Sequence, residues 1–233
     1  MPRWHRWYNC SLCEQEYHGV VYCALGWACW KTYLGRPETD NFRNLAMNLL
    51  GNGLTEACLY EEALVVREAQ LSMMQCFGLS KEEILAVQTN LAMTYGELGH
   101  MEKAVSMERD VYSGELKLYG EENESTLISA NNYSSSLIDL QRFKEVKTVL
   151  RKMTPVARRV LGENHEVTLQ MRCSCARTLY ENGGATIDDL RKAVTMLEEI
   201  EPDARRALGG AHPLLKDIRR FHQYGRAALA KHA

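Results

Sequence analysis

The sequence has no apolar run long enough to cross a membrane. Its longest apolar stretch, VVYCALGWACW, covers 11 residues from Val20 to Trp30, whereas a membrane-spanning helix needs about 20. The first ten residues also lack the apolar centre of a secretory signal peptide. We therefore expect no membrane partner and a cytoplasmic location, where the eight cysteines stay reduced, as buried thiols or as zinc ligands.

The sequence also lacks a strong charge imbalance. Its 233 residues include 28 basic and 30 acidic side chains, which leave a net charge of −2. A nucleic-acid-binding domain usually carries a basic excess on one face, so we expect no nucleic-acid partner. With 45% hydrophobic and 25% charged residues, the composition is that of an ordinary globular protein.

Catalytic motifs are missing as well. The sequence contains no phosphate-binding loop, no glycine-rich dinucleotide turn, no Gly-x-Ser-x-Gly and no His-Glu-x-x-His. Paired carboxylates such as Glu61–Glu62 and Glu121–Glu122 stand at expected helix starts, where the positive end of the helix dipole accounts for them. We therefore expect a protein without enzymatic activity.

What the sequence does contain is an internal repeat of about 42 residues. Glycines follow an apolar or aromatic residue at steps of 43, 42, 42 and 47 residues, namely Gly35, Gly78, Gly120, Gly162 and Gly209. A glycine after a helical run suits a left-handed helix C-cap, because a Cβ would clash there. The polar stretches that follow, such as EENEST and ENHEVT, suit the start of the next helix.

Small residues recur inside each repeat and predict two closely packed helices. The positions are Ala46, Ala92, Ser134 and Ala176 in the first helix, and Ala63, Ala104, Val146 and Ala193 in the second. The two small positions are 12 residues apart in the middle repeats but 17 apart in the first and the fourth. We interpret the five extra residues as longer turns within NGLTEACLYEE and ENGGATIDD, because both stretches are rich in turn-forming residues.

This pattern resembles the tetratricopeptide repeat family, and most closely its longer-period, kinesin-light-chain-like branch. The stretch NLAMTYGELGHMEKAVSM is similar to the family consensus, and VLGENHEVTL and ALGGAHPLL are similar to its LG-x-x-HP-x-T linker. The resemblance covers residues 36–230. It implies an all-α, right-handed superhelical solenoid of about four helix pairs with a C-terminal capping helix.

The resemblance also divides the chain. Residues 1–35 form an N-terminal segment, whose apolar helix we expect to dock on the first repeat and to bury Trp27 and Trp30. Residues 36–233 form the repeat array. We expect its repeats at about 36–77, 78–119, 120–161 and 162–208, and its cap at 209–233.

In this family the first helices of the repeats line a concave groove that binds a partner peptide or protein domain. The family places Asn on the inner side of the groove, and Asn44, Asn90 and Asn132 match those positions. An Asn amide can both donate to and accept from an extended peptide backbone. The alternative is that each amide bonds a neighbouring helix.

Carboxylates recur at the ends of the first helices. Glu97, Asp139 and Glu181 follow one another at steps of 42 residues, and they predict either an acidic groove rim or simply solvated helix ends. Only Arg43 and Arg177 offer inward positive charge. We therefore expect a neutral or basic extended peptide as the ligand, and no clamp for a partner's C-terminal carboxylate.

The N-terminal stretch NCSLCEQEYHG raises the question of zinc. Cys10 and Cys13 could supply two of the four ligands of a structural zinc site, and they resemble the last ligand pair of a RING-CH zinc finger. In that family eight ligands hold two zinc ions, but only nine residues precede Cys10 and none of them is Cys.

Three interpretations of this pair remain open. A longer parent protein could complete the finger, and the repeats would then recognise the substrate of a RING-CH-type ubiquitin ligase. Alternatively a site is completed within this chain, either by Cys23 and Cys29 or by His18 with a fourth group, or the pair stays incomplete. We favour a non-catalytic protein-interaction scaffold with no cofactor, in which zinc binding is weak.

Overall fold

The structure, a computed structural model, describes residues 4–232, and these residues form ten α-helices and no β-strand. The all-α prediction is therefore confirmed. The helices are α1 (Gly19–Tyr33), α2 (Asn41–Glu56), α3 (Tyr60–Cys76), α4 (Lys81–Glu97), α5 (Met101–Tyr119), α6 (Glu124–Asp139), α7 (Phe143–Val160), α8 (Glu166–Tyr180), α9 (Ile187–Leu208) and α10 (Pro213–His232). None of these helices is both long and apolar enough to cross a lipid bilayer.

The chain divides into two compact units, Met1–Met107 and Glu108–Ala233, which we call the N-terminal and the C-terminal unit. In the N-terminal unit α1 packs on α2, α2 on α3 and α3 on α4. In the C-terminal unit α8 packs against α6, α7, α9 and α10. Successive helices thus bury their apolar faces on their neighbours, as repeats that cannot each form a core must do.

Glycine ends the helices as the sequence predicts. Gly78, Gly120, Gly162 and Gly209 all have a positive φ, between 63° and 93°. Gly35 does not have a positive φ, because α1 ends at Leu34, whose backbone has an ordinary right-handed conformation.

A second left-handed position lies in the three-residue turn between the helices of a pair. It holds Cys58, Gly99 and Gln141, with φ of 59°, 76° and 57°. Only glycine adopts this backbone without a steric cost, so Cys58 and Gln141 are strained where Gly99 is not.

The interpretation of a longer turn in the first repeat is wrong. Helix α2 continues to Glu56, so the turn before α3 is as short as those of the middle repeats. The residue 12 positions before Ala63 is then Gly51, and Ala46 does not occupy the small position. In the fourth repeat the residues between α8 and α9 do form the longer turn.

Packing explains why glycines stay helical in α2. A Cβ on Gly51 would lie 3.1 Å from Nε of Arg67, and one on Gly53 would lie 2.8 Å from Cα of Cys23 in α1. Both positions are therefore close approaches of neighbouring structure rather than loop positions.

Helix α1 docks on α2, as expected, through a close backbone contact. A Cβ on Gly26 would lie only 3.0 Å from Cα of Leu50. Trp30 packs against the core formed by α1 and α2. Trp27, however, is 43% exposed, so the prediction that it is buried is wrong. Helix α1 is apolar on all sides, and its sequence does not show which side faces α2.

Candidate functional site

A groove of about 610 Å³ lies in the C-terminal unit, on the side formed by α6, α8 and α10. Asn132 and Asp139 reach it from α6, and Ser174 and Arg177 reach it from α8. In this unit the first helices of successive repeats therefore line a common concave surface, and three of the residues proposed from the sequence lie together on it.

Asn132 is the groove residue with a free amide. It is half-buried, and within the described part of the chain its side chain makes no hydrogen bond. Its neighbour Asn131 differs, because its Nδ2 donates to Oε1 of Gln170 at 2.9 Å. Asn132 can thus offer both a donor and an acceptor to a molecule that enters the groove.

Arg177 is held by two of the predicted rim carboxylates. Its Nε lies 2.9 Å from Oε1 of Glu181, and its Nη2 lies 3.2 Å from Oδ1 of Asp139. Its guanidinium carbon lies 4.7 Å from the ring centre of Phe221. Burial opposes the charge, but the bonds to Glu181 and Asp139 outweigh it and raise the pKa of Arg177. The arginine is thus engaged in a charge network.

Helix α10 contributes groove residues that sequence reasoning assigned only to a cap. Asp217, Arg220 and Phe221 line the groove, together with His212 just before the helix. Arg220 pairs with Asp217 at 2.9 Å. Their spacing of three and four residues places them on one helix face, a signal that the sequence already carried.

In the N-terminal unit the two predicted asparagines have different surroundings. Asn90 donates from Nδ2 to Oδ1 of Asn48 at 3.2 Å, so the alternative of a bond to a neighbouring helix applies to it. Asn44 is only 6% exposed and lines a smaller cavity of about 330 Å³. Because α2 has the shorter turn, Leu49 rather than Asn44 occupies the position equivalent to Asn90.

The remaining proposed residues of this unit are occupied by local contacts. Arg43 donates from Nη1 to the carbonyl oxygen of Arg36 at 2.8 Å, and its Nη2 lies 3.6 Å from Oε1 of Glu38. Glu97 is exposed at the end of α4, beside Tyr60. A hydrogen bond with Cys58, together with burial and the charge of Glu97, raises the pKa of Tyr60 to about 12.

The Cys10–Cys13 pair lies in a tight turn before α1. The Glu14 amide donates to the Cys10 carbonyl oxygen at 2.9 Å, and Glu14 has a φ of 60°. Amides of Cys13 and Leu12 bond the Cys10 sulfur and lower the pKa of that thiol to about 7. This turn presents a stabilised thiolate, which is the form that binds metals.

Two thiols do not make a closed zinc site, which needs four ligands. Cys23 and Cys29 are buried in the core between α1 and α2, where burial raises both thiol pKa values. Across residues 4–232 no three His, Cys, Asp or Glu side chains converge on one point. The structure therefore does not bring Cys23 and Cys29 together with Cys10 and Cys13 on one point.

Two further cysteines are not the buried thiols that their helix-like surroundings predict. Cys58 is exposed in the turn after α2, and Cys76 is exposed at the end of α3. Only Cys173 of the later cysteines is fully buried, whereas Cys175 is half-buried.

Comparison with known proteins identifies the fold. No protein-family model matches the sequence, and no curated protein matches it. Among solved structures, a Podospora anserina protein with nearly identical TPR-like repeats of the kinesin light chain type superposes with a TM-score of 0.66 and 20% identity over 79% of this chain and 85% of that chain. The fold is that of tetratricopeptide-like repeat proteins.

A second solved structure supports the same assignment. BtubC (BKLC) from P. vanneervenii superposes with a TM-score of 0.67 and 14% identity, over 91% of this chain and 88% of that chain. Both likenesses concern the fold, because at such identities residue roles do not transfer with it.

Proposed function

We propose that the protein is a non-catalytic interaction scaffold, and that its C-terminal unit binds an extended segment of a partner protein in the groove between α6, α8 and α10. The observation that carries this proposal is the unbonded, half-buried amide of Asn132 in that groove. An extended backbone needs partners for its own N–H and C=O groups, and a side-chain amide supplies both kinds of partner.

The charge of the groove favours a neutral or basic segment. Three carboxylates line it, from Asp139, Glu166 and Asp217, against two guanidinium groups, from Arg177 and Arg220. Both arginines are bonded to carboxylates, so neither is free to bind an acidic ligand. An incoming lysine or arginine would meet the excess of negative charge.

The alternative function is substrate recognition within a RING-CH-type ubiquitin ligase. It is supported by a single feature, the turn that holds Cys10 and Cys13, which supplies two of the eight ligands that such a finger needs. We therefore favour the scaffold without catalysis or cofactor, acting in the cytoplasm on a protein or peptide partner.

A peptide array with matched neutral, basic and acidic decapeptides tests the proposal. We expect binding by neutral and basic peptides. Asn132→Ala should weaken that binding about tenfold, because the peptide groups facing it would lose their partner. Asn182→Ala, in the turn after α8 and outside the groove lining, is the matched control. Binding of neutral and basic peptides that is insensitive to Asn132→Ala, or the absence of such binding, would contradict the proposal.

A further inference from the structure

A second cavity, of about 570 Å³, lies in the C-terminal unit and is lined by residues of α7, α8 and α9. It shares no lining residue with the groove between α6, α8 and α10, which we call the peptide groove. Helix α8 serves both, because Ser174 and Arg177 reach the groove whereas Cys175 and Thr178 reach this second cavity, which we call the outer crevice.

The floor of the outer crevice is apolar. Leu150 is buried there, while Leu179 and Met196 are only half-buried. Leu179 and Met196 also pack on the core that α8, α9 and α10 share. Their exposed parts form a small apolar surface that a ligand could cover, and covering it would be favourable because it removes apolar area from water.

The rim of the outer crevice is cationic. Lys147 and Arg151 lie one helical turn apart on α7, and Lys192 lies on α9; all three side chains are exposed. Among the described residues, none of the three forms an ion pair within 4.0 Å. Three later basic residues of α7 contrast with them, because Lys152, Arg158 and Arg159 are each paired with a glutamate.

The carboxylate of Asp189 lies near enough to Lys147 and Lys192 for their charges to affect its pKa. Its pKa is lowered first by hydrogen bonds with Thr186, and then by the charges of Lys147 and Lys192. Its Oδ2 accepts from the backbone amide of Thr186 at 3.0 Å and from the Thr186 hydroxyl at 2.8 Å. Asp189 is therefore committed to capping α9, and the rim keeps a net positive charge.

We propose that the outer crevice is a second binding site, which takes an acidic segment of a partner protein with its carboxylates on the rim and an apolar side chain on the floor. The spacing suits an extended segment. Lys147 and Arg151 are separated by about 6 Å along α7, and alternate residues of an extended strand lie about 6.7 Å apart. Two acidic residues two positions apart can thus meet both cations.

This site would select a segment of opposite charge to the one that the peptide groove prefers. The two surfaces share no lining residue, so one chain could hold an acidic and a basic segment at the same time. The second site does not depend on the first, and each can be tested alone.

Fluorescence anisotropy with the full chain tests the outer crevice. The probe is a labelled decapeptide of alternating Glu and Leu, and the control replaces Leu by Ser. We expect the Glu/Leu peptide to bind at least tenfold more tightly than the Glu/Ser control. Lys147→Glu combined with Lys192→Glu should weaken it by about tenfold or more, since two exposed ion pairs become like-charge contacts.

A matched pair of substitutions separates this site from general electrostatics. Lys216→Glu combined with Arg226→Glu makes the same charge change on exposed positions of α10 that line neither cavity, and it should leave binding nearly unchanged. Equal losses in both double variants would overturn the proposal. So would tight binding of dodecanoate, a small amphiphilic carboxylate, without binding of the peptide.

Hydrogen exchange then locates the peptide. Bound Glu/Leu peptide should protect α7 and α9, and Asn132→Ala should not change its affinity. Protection on α6 and α10 instead would place the peptide in the groove and refute the outer crevice. A protein that binds basic peptides through Asn132 but ignores the Glu/Leu peptide would lose this second site and keep the proposed function.

Discussion

Arg67 of α3 donates from Nη1 to the backbone carbonyl oxygen of Asn90 in α4, at 2.7 Å. The side chain is only 4% exposed, and it also bonds the Thr94 hydroxyl and Oδ1 of Asn52. All three acceptors are neutral, and burial lowers the pKa of Arg67 to about 10. A single arginine therefore joins α2, α3 and α4, and Gly51 leaves the room for it.

Removal of this arginine should destabilise the N-terminal unit. Arg67→Ala removes three hydrogen bonds and opens a cavity, so we expect the free energy of unfolding to fall by about 2–3 kcal/mol. Chemical denaturation measures the change. Arg191→Ala, on an exposed position of α9, should change stability by less than about 0.5 kcal/mol. Similar small effects of both variants would show that the buried network contributes little.

Relief of backbone strain should stabilise the turn between α6 and α7. Gln141 is exposed and has a φ of 57°, which costs a residue with a Cβ about 1 kcal/mol or more. Gln141→Gly should raise the free energy of unfolding by about 0.5–1 kcal/mol, less the entropy that glycine adds to the unfolded chain. The reverse change at the equivalent turn, Gly99→Gln, should lower it. A lower melting temperature for Gln141→Gly would contradict the inference that the backbone of Gln141 is strained.

Glu108 should make stability depend on pH. Burial, helped by the charge of Asp139 and opposed by a hydrogen bond with Ser136, raises the pKa of Glu108 to about 7 from an ordinary value of 4.5. The folded chain therefore binds this proton more tightly than the unfolded chain does. Its stabilising contribution is complete below pH about 4.5 and is lost as the pH rises through about 7.

The variant Glu108→Gln has no proton to lose at this position. The free energy of unfolding of the variant, relative to that of the parent, should therefore be higher at pH 8 than at pH 5. Urea denaturation at the two pH values measures this difference. A stability difference between the two proteins that is equal at both pH values would rule out the raised pKa.

The contact between α1 and α2 can be followed selectively. All four tryptophans, Trp4, Trp7, Trp27 and Trp30, precede α2, so their fluorescence reports the N-terminal segment. Gly53→Ala places a Cβ 2.8 Å from Cα of Cys23, and backbone cannot move aside as a side chain can. We expect tryptophan emission to shift to longer wavelength, while circular dichroism keeps most of its helical signal.

Gly96→Ala is the matched control for that experiment, because a Cβ there meets nothing within 4 Å. It should leave the emission unchanged, and it should stabilise α4 slightly, since alanine favours a helix over glycine by about 1 kcal/mol. If Gly53→Ala also left the emission unchanged, this would show that α1 and α2 can separate without affecting the N-terminal segment that holds the tryptophans.

The sequence by itself determined the helix ends and the all-α fold. The glycines at 78, 120, 162 and 209 take the left-handed backbone that their positions predict, because this preference belongs to one residue and needs no distant partner. The capping boxes of Ser80 with Glu83 and of Thr186 with Asp189 are equally local. Local preference failed in α2, where Gly53 suggested a loop and close packing on Cys23 kept it helical.

Only the tertiary structure decided which of the candidate residues are available to a partner. Asn90 and Asn132 have the same side chain, but the first bonds Asn48 whereas the second makes no hydrogen bond within the described part of the chain. In the same way, Arg177 is bonded on two sides, whereas Arg151 forms no ion pair with any residue that the structure describes. The physical reason is that a side chain's partners come from neighbouring helices, and helix packing, not sequence spacing, brings those helices together.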